Sequence, residues 1–415
     1  MTRYLLLIAV IVLLGESLVA GDSAGKPLMF ADSYMLRAQG TEANYWNPAL
    51  LSVDTKDIWL PAVNLGFSLA NNSLDVKIYN HIMGTGYLNT ADKDRLLNMI
   101  DKRVMILGAS QISLFGFTSD NFALSSSVNA FAKASFDKDY LRLLLYGNTD
   151  ENYEFTRQDT NLGALSYIDL TIGMGDVTLP LPPNIPTIKA GLSVSLLAGL
   201  EDIHTDTFYG SFTSNFDGLM VQQDMVFKSG IGGAGFKSLI GLVCDPLPQL
   251  STGLTLDNLF GFISWGLHKE DLNYHFEVDS VYIANLSEDF YMWEASRTKG
   301  ESYTTKLPPE LRLAALYRFP KVSVSADYVQ GFATSIVTSS VGRVALGAEV
   351  LPLATLPIRC GIAFGNSDYP WRVSYGIGFR FSTMELGIGM QTFKSLLPGN
   401  TSKGLAFAFN FKLGV

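Results

Sequence analysis

The stretch RVSYGIGFRF, from Arg372 to Phe381, alternates between two kinds of side chain. Every second residue is apolar or aromatic, and the residues between them are arginine, serine and glycine. Successive side chains of a β-strand point to opposite faces, so this period of two predicts a strand. One face of that strand is apolar, and the other carries both charges, Arg372 and Arg380.

Six further segments of the C-terminal third repeat this pattern: LRLAALYRF, KVSVSADY, RVALGAEV, IRCGIAF, MELGIGMQ and LAFAFNFKLGV. Turn residues such as FPK and LPGNTSKG separate them, as in successive β-hairpins. Neighbouring strands therefore share one polar face, and nine charged residues belong to it: Arg312, Arg318, Asp327, Arg343, Glu349, Arg359, Arg372, Arg380 and Glu385.

Two architectures accommodate such an apolar face. A soluble β-sandwich hides it between two sheets, whereas a transmembrane barrel turns it toward lipid and keeps the charges in its lumen. Aromatic residues collect near the strand ends, as in an interfacial girdle, and the last strand keeps an unbroken apolar face. We therefore expect an all-β protein, a transmembrane antiparallel barrel with the nine charges in its lumen. At about 25 to 30 residues per strand and loop, the chain suggests about 14 strands.

The composition agrees with this prediction. The chain has 415 residues, of which 47% are hydrophobic and 17% are charged, whereas an average soluble domain has about 25% charged residues. The mean hydropathy is +0.20, yet no apolar run in the mature part is long enough for a membrane helix. The net charge of −9 and the lack of a basic cluster exclude a nucleic-acid partner.

The N-terminus has the pattern of an export signal. Arg3 precedes an apolar run from Tyr4 to Leu14, and small residues follow up to Gly21. We expect a cleaved signal peptide over residues 1–21, an N-terminal plug or periplasmic segment over 22–60, and an outer-membrane barrel over 61–415.

Other motifs point to no catalytic chemistry. GIGGAG, residues 230–235, fits a dinucleotide fingerprint, but a helix does not follow it, and glycine in a barrel strand makes room for lumen contents. HKEDLNYH has no zinc-like spacing. Whether Cys244 and Cys360 form a disulfide stays open, because their proximity cannot be read from the sequence. We expect no enzyme, cofactor or metal site.

The region before the barrel carries a family resemblance. YMLRAQGTEANYWNPALLSV resembles the N-terminal signature of FadL-like outer-membrane barrels, the fatty-acid transporters and an uncharacterised related branch. The chain is also similar to the shuttle barrel of type nine secretion. In the fatty-acid transporters this segment folds into the barrel as a plug, and the matching positions here are Arg37, Glu42, Asn44, Trp46, Asn47, Pro48 and Ala49. An ordinary turn between two strands remains the alternative, because Asn-Pro is common in turns.

The resemblance implies a function as well as a fold. It implies a monomeric, porin-like barrel in the outer membrane of a Gram-negative bacterium, which passes or binds a hydrophobic small molecule. Its partners would be outer-membrane lipid, that ligand, and the barrel-assembly machinery during insertion. Two alternatives stay open: a barrel that serves secretion, assembly or surface structure without transport, and a soluble exported β-sandwich binding protein.

Overall fold

The strands form one antiparallel sheet that closes on itself. The computed structural model describes residues 25–51, 57–59, 64–85, 87–147, 152–158, 160–182, 186–215, 218–281, 291–365, 370–381 and 384–414. The last strand pairs with the first, with Phe407 opposite Phe67. The result is a closed barrel of 14 strands, which confirms the predicted fold class. The predicted signal peptide lies outside the described residues.

Several of the barrel strands are built from more than one piece. β1 comprises Asp57–Trp59 and Leu65–Asn71, because both pieces pair with the same two neighbours. Its first piece precedes residue 61, where the sequence places the start of the barrel. The other strands are β2 (Arg103–Ser119), β3 (Phe122–Asp137), β4 (Tyr153–Thr156 and Asn161–Thr178), β5 (Ile188–Asn215), β6 (Gly218–Leu247), β7 (Leu250–Asp257 and Gly261–Val281), β8 (Tyr291–Lys299, Tyr303–Leu307 and Glu310–Arg318), β9 (Val322–Gly331), β10 (Arg343–Leu353), β11 (Leu356–Phe364), β12 (Arg372–Arg380), β13 (Met384–Phe393) and β14 (Gly404–Gly414).

The two faces of the sheet differ as the alternation predicts. On β12, Ile377 and Phe379 are 44% and 45% exposed, whereas Arg372 on the other face is buried. Ile377 lies opposite Ile358 of β11, which is also exposed. Large apolar side chains are exposed in the same way on strands around the ring, including Phe67, Ile172 and Leu346. The outer surface is therefore an apolar belt suited to lipid.

Helices occupy two places. Short ones lie before the barrel, namely α1 (Lys26–Met29) and α2 (Ala43–Trp46), with 3₁₀ turns at Gly40–Glu42 and Pro48–Leu50. Longer ones follow β1 and β3 at the end opposite the termini, namely α3 (Val76–Thr85), α4 (Thr90–Asn98) and α5 (Lys138–Tyr146). Among the described residues, none of these helices is long and apolar enough to cross a bilayer.

Helices α4 and α5 are tied to each other. The Tyr146 hydroxyl donates to Asp94 Oδ1 over 2.5 Å, and this hydrogen bond holds the pKa of Tyr146 above its usual value. α4 begins with a reciprocal pair of hydrogen bonds between Asn89 and Asp92, which satisfies free backbone N–H groups at the helix start. These contacts give the loops at this end a defined structure.

Candidate functional site

The N-terminal segment, residues 25–51, lies inside the barrel. Its side chains contact strands on every side of the ring, including Ser125 on β3, the Leu242 carbonyl on β6 and Asp327 on β9. Most of its residues are buried, and Met29, Ala43 and Asn47 have no exposed surface. We call this part of the chain the lumen segment.

The first part of the lumen segment meets charges of the C-terminal strands. Lys26 Nζ lies 3.2 Å from Glu42 Oε2 and 3.4 Å from Glu385 Oε2. Arg359, whose side chain is fully buried, donates to Glu349 over 2.9 Å and to Glu385. Charge-assisted hydrogen bonds of this kind are the strong ones. Lys26 links the segment to β13, and Arg359 joins β10, β11 and β13 of the wall to one another.

The same part also reaches β9 and β12. Arg372 donates to Asp32, 340 residues away in the chain. Asp327 accepts from Ser33 Oγ over 2.8 Å and from the Met35 backbone N–H over 3.1 Å. Buried carboxylates need such donors, because an unpaired buried charge is strongly unfavourable.

Arg37 extends the attachment to β9. Its Nη1 donates to Ser323 Oγ over 2.7 Å, and its Nε donates to Ser325 Oγ over 2.9 Å. The guanidinium also lies 4.5 Å from the centre of the Phe30 ring, a cation–π contact. Arg37 therefore links the segment to the barrel through hydroxyl and carbonyl oxygens of β9 and β10.

The second part of the lumen segment uses neutral hydrogen bonds. Asn44 Nδ2 donates to Ser125 Oγ over 2.8 Å and to the Thr171 carbonyl over 3.0 Å, while Asn44 Oδ1 accepts from Ser193 Oγ over 2.8 Å. Asn47 Nδ2 donates to the Leu242 carbonyl, and its Oδ1 accepts from Ala49 N–H over 3.1 Å. The Asn47 side chain thus caps the 3₁₀ turn that begins at Pro48.

Glycines on β4, β5 and β6 make room for this turn. A Cβ atom at Gly175 would lie 1.7 Å from the Pro48 carbonyl oxygen, and one at Gly191 would lie 2.4 Å from Ala49 N. A Cβ at Gly241 would lie 2.0 Å from Asn47 Oδ1. Real atoms do not approach so closely, so the backbone of the turn fits only because these positions lack a side chain.

The remaining residues that the sequence singles out take varied positions. Glu42 accepts from the Tyr34 hydroxyl over 2.6 Å, and Trp46 lies under the Arg312 guanidinium at 4.4 Å. Arg318 donates to Ser251, Arg343 lies 3.9 Å from Glu310, and Arg380 lies 3.4 Å from Glu385.

Sequence reasoning missed Asp169 and the glycine positions. Asp169 of β4 is buried and accepts from the Tyr45 hydroxyl over 2.8 Å, as well as from Ser127, Asn129 and Thr171. Its signal is that it is the single charged residue in the stretch from residue 161 to residue 175. Cys244 and Cys360 are both free thiols.

A cavity of about 120 Å³ lies beyond the lumen segment, toward the end opposite the termini. Tyr45 and Trp46 line it on the segment's side, and Val337 and Thr338 of the β9–β10 loop line it on the other. Charged residues of β4, β6, β7 and β8 complete its wall.

An apolar layer on the inner side of β4, β5, β7 and β8 lies next to this cavity. Its buried members are Leu165, Tyr167, Leu197, Ile263, Trp265 and Leu307, and Ile336 and Val337 of the β9–β10 loop pack against them. Trp265 is fully buried, and its Nε1 donates to Thr305 Oγ1 over 2.9 Å. Gly199, Gly230 and Gly233 lie against its ring, so part of the GIGGAG stretch accommodates this tryptophan.

A similar barrel is known among solved structures. A Pseudomonas aeruginosa FadL homologue aligns over 96% of this chain and 99% of its own, with 12% identity and a TM-score of 0.53. The fold is FadL-like. The Ralstonia pickettii toluene transporter TbuX aligns over 90% of this chain and 94% of its own, with 12% identity and a TM-score of 0.47.

The likeness of this FadL-like barrel to those proteins is one of structure. No protein-family profile matches the sequence, and a comparison with curated proteins found no match. The structural neighbours are transporter and channel barrels rather than enzymes.

Proposed function

We propose that this protein is a monomeric channel of a Gram-negative outer membrane that binds and passes a hydrophobic small molecule. The observation that carries the proposal is the apolar layer around Trp265, which borders a cavity in the lumen. A water-filled pore has a polar interior. An apolar layer instead bars ions and offers a surface into which an apolar molecule partitions.

In this proposal the lumen segment is the plug, with Trp46 as its anchor and Asn47-Pro48 as the turn at its exit. Its two sets of contacts span the ring, so it fills the lumen on the side of the termini. That side is periplasmic, and the cavity and the apolar layer lie toward the cell exterior. The FadL-like fold supports this arrangement.

The proposed channel has partners besides its ligand. Outer-membrane lipid surrounds the apolar belt, the barrel-assembly machinery inserts the chain, and residues 1–21 direct its export. The role is binding and passage, without a chemical step.

Uptake by living cells tests the proposal. Cells of a Gram-negative host that express the protein should take up radiolabelled toluene faster than cells with an empty vector. Leu307→Lys places a charge in the apolar layer and should lower the uptake rate. Leu397→Lys is the matched control, because Leu397 is 68% exposed in the β13–β14 loop.

Both variants should retain the faster gel mobility of an unheated barrel, which shows that they fold. Uptake equal to that of the empty vector would reject the transport proposal. Equal uptake by the unchanged protein and by Leu307→Lys would show that the apolar layer is not on the path.

A further inference from the structure

The cavity has a polar wall as well as an apolar one, and two atoms of the polar wall are unpaired. Arg312 and Asn258 both line the cavity, and each is only 8% exposed. Among the residues that the structure describes, Arg312 Nη1 and Asn258 Oδ1 have no hydrogen-bond partner. Buried polar atoms are usually paired, so this wall lacks one acceptor and one donor.

The two residues belong to one patch of the barrel wall. Glu310 of β8 lies opposite Asp257 of β7, and Arg312 lies opposite Thr255. Asn258 follows Asp257 directly, in the break between the two pieces of β7, with a left-handed φ of 55°. Arg312 is held there, because its Nη2 donates to Glu310 Oε1 over 3.2 Å and its guanidinium lies on the Trp46 ring.

The charges of the cavity disfavour an anion. Asp169, Asp257 and Glu310 line it, against the cations Lys237 and Arg312. Arg312 already shares its charge with Glu310. A carboxylate that entered would face like charges in a space of low dielectric, where repulsion is strong. The missing partner is therefore a neutral group.

The size of the cavity restricts the ligand to about one ring. An engineered apolar cavity of about 150 Å³ binds benzene, and the cavity here has about 120 Å³. Aromatic side chains at its border suit a ring, since Phe131 and Tyr167 are stacked with centroids 6.1 Å apart.

We propose that this cavity binds a neutral, ring-sized phenol or alcohol. Its hydroxyl accepts a hydrogen bond from Arg312 Nη1 and donates one to Asn258 Oδ1 once the two terminal groups, which have almost no accessible surface, turn toward it. A hydroxyl is suited to both bonds because it is a donor and an acceptor at once. The inference rests on the proposed function, whose substrate class it narrows from any hydrophobic molecule to a hydroxylated ring.

Calorimetric titration of the purified protein in lipid nanodiscs tests the site, with empty nanodiscs as the blank. Phenol and toluene have nearly the same shape and differ in one hydroxyl, and benzoate adds a charge. We expect phenol to bind between about 10-fold and 100-fold more tightly than toluene, the range for hydrogen bonds that involve a charged group. Benzoate should bind more weakly than phenol.

Asn258→Gly removes the acceptor and retains the left-handed backbone, which glycine adopts freely. It should reduce the preference for phenol and leave toluene affinity unchanged. Asp120→Gly is the matched control, because Asp120 also has a φ of 55° but lies in the β2–β3 turn. Arg312→Met should abolish the preference, and gel mobility before heating shows whether that variant folds.

Equal affinities for phenol and toluene would overturn the inference and leave the proposed channel intact. Tighter binding of benzoate than of phenol would overturn it as well, because the site would then select an anion. If neither phenol nor toluene binds, the cavity is not a ligand site. Toluene uptake by cells decides the proposed function independently of these titrations.

Discussion

The two parts of the lumen segment are attached to the barrel by different means. Residues 26–37 face β9 to β13, where four of their contacts involve the charged residues Asp327, Arg372 and Glu385. Residues 41–49 face β2 to β6, where Asn44 and Asn47 make neutral hydrogen bonds and the turn lies against glycines. The first part is held mainly by charged groups. The second is held mainly by neutral hydrogen bonds and by shape, together with the Tyr45–Asp169 hydrogen bond.

Because of this difference, we expect substitutions to affect the two parts of the lumen segment in different ways. Removing one member of a buried ion pair leaves a charge without its partner, so the charged half loses free energy of unfolding. The glycine positions contribute no side-chain contact at all, but any added atom collides with the backbone of the turn. The position of the second part is therefore disturbed more by a side chain added at one of these glycines than by the loss of one hydrogen bond.

The largest effect is expected from adding a side chain at a glycine that contacts the second part of the lumen segment. Gly175→Val places atoms where the Pro48 carbonyl lies, so the second part of the segment must leave its position. The barrel should still assemble, because the substitution faces the lumen. In planar bilayers we expect this variant to conduct small ions readily, while the unchanged protein stays closed.

Gly266→Val is the control for that experiment, because no atom lies within 4 Å of a Cβ at Gly266. It should conduct no more than the unchanged protein. If Gly175→Val does not conduct, close packing against the glycines is not what keeps the second part of the segment in place. Deletion of residues 31–52 gives the upper limit of conductance for a barrel without its plug.

The next effect concerns the charged half. Arg359→Met leaves Glu349 and Glu385 without the cation between them, and we expect a loss of about 3 kcal/mol in the free energy of unfolding. Arg380→Met should cost no more than about 1 kcal/mol, because the Arg380 side chain is 40% exposed. Urea unfolding in detergent measures both. Equal losses would contradict the importance of burial in this network.

A smaller effect is expected at Asn44. Asn44→Ala leaves Ser125, Ser193 and the Thr171 carbonyl without their partner, at a cost of about 2 kcal/mol. The double variant Asn44→Ala/Arg359→Met compares its loss of stability with the sum of the two single losses. If the two halves are independent, their losses should add to within about 0.5 kcal/mol, and a larger deviation would show that the halves act as one unit.

The smallest effect is expected at Trp46, which lies between the segment and the cavity. Trp46→Phe keeps an aromatic ring but weakens the contact with Arg312, and we expect a loss of about 1 kcal/mol in stability. Trp293→Phe, at a residue 54% exposed on β8, controls for the substitution itself. A loss of the same size at both positions would show that the Arg312 contact contributes nothing.

Much of the barrel could be predicted from the sequence, because the alternation of a strand is a local pattern that residues close together in the chain reveal. The alternation around Ile377 predicts its lipid face, and Arg359 and Arg372 are visible as charges on the opposite face. The partner of Arg372 was not predictable, since Asp32 lies 340 residues away. The contacts of the second part are even harder to predict. Gly175 and Gly191 matter because they have no Cβ atom, and the sequence does not show which glycines lie against the turn. Asn258 and Arg312 meet only through strand register, which the sequence does not contain.

The unequal lengths of the strands have a consequence for the shape of the outer rim. β11 and β12 have 9 residues each, whereas β6 has 30. At about 3.4 Å per residue and a tilt of about 40°, these lengths correspond to heights of about 25 Å and 75 Å. The short strands match the thickness of the hydrocarbon layer and so set the depth of the whole molecule.

The tall wall of β5 to β8 then projects far above the outer leaflet, where both faces of Tyr291–Lys299 are exposed. The rim is oblique, and its low side runs along β9 to β14. From that low side the β9–β10 loop packs Ile336 and Val337 against the apolar layer. In the proposed channel, the mouth of the barrel therefore opens sideways along the membrane surface rather than straight outward.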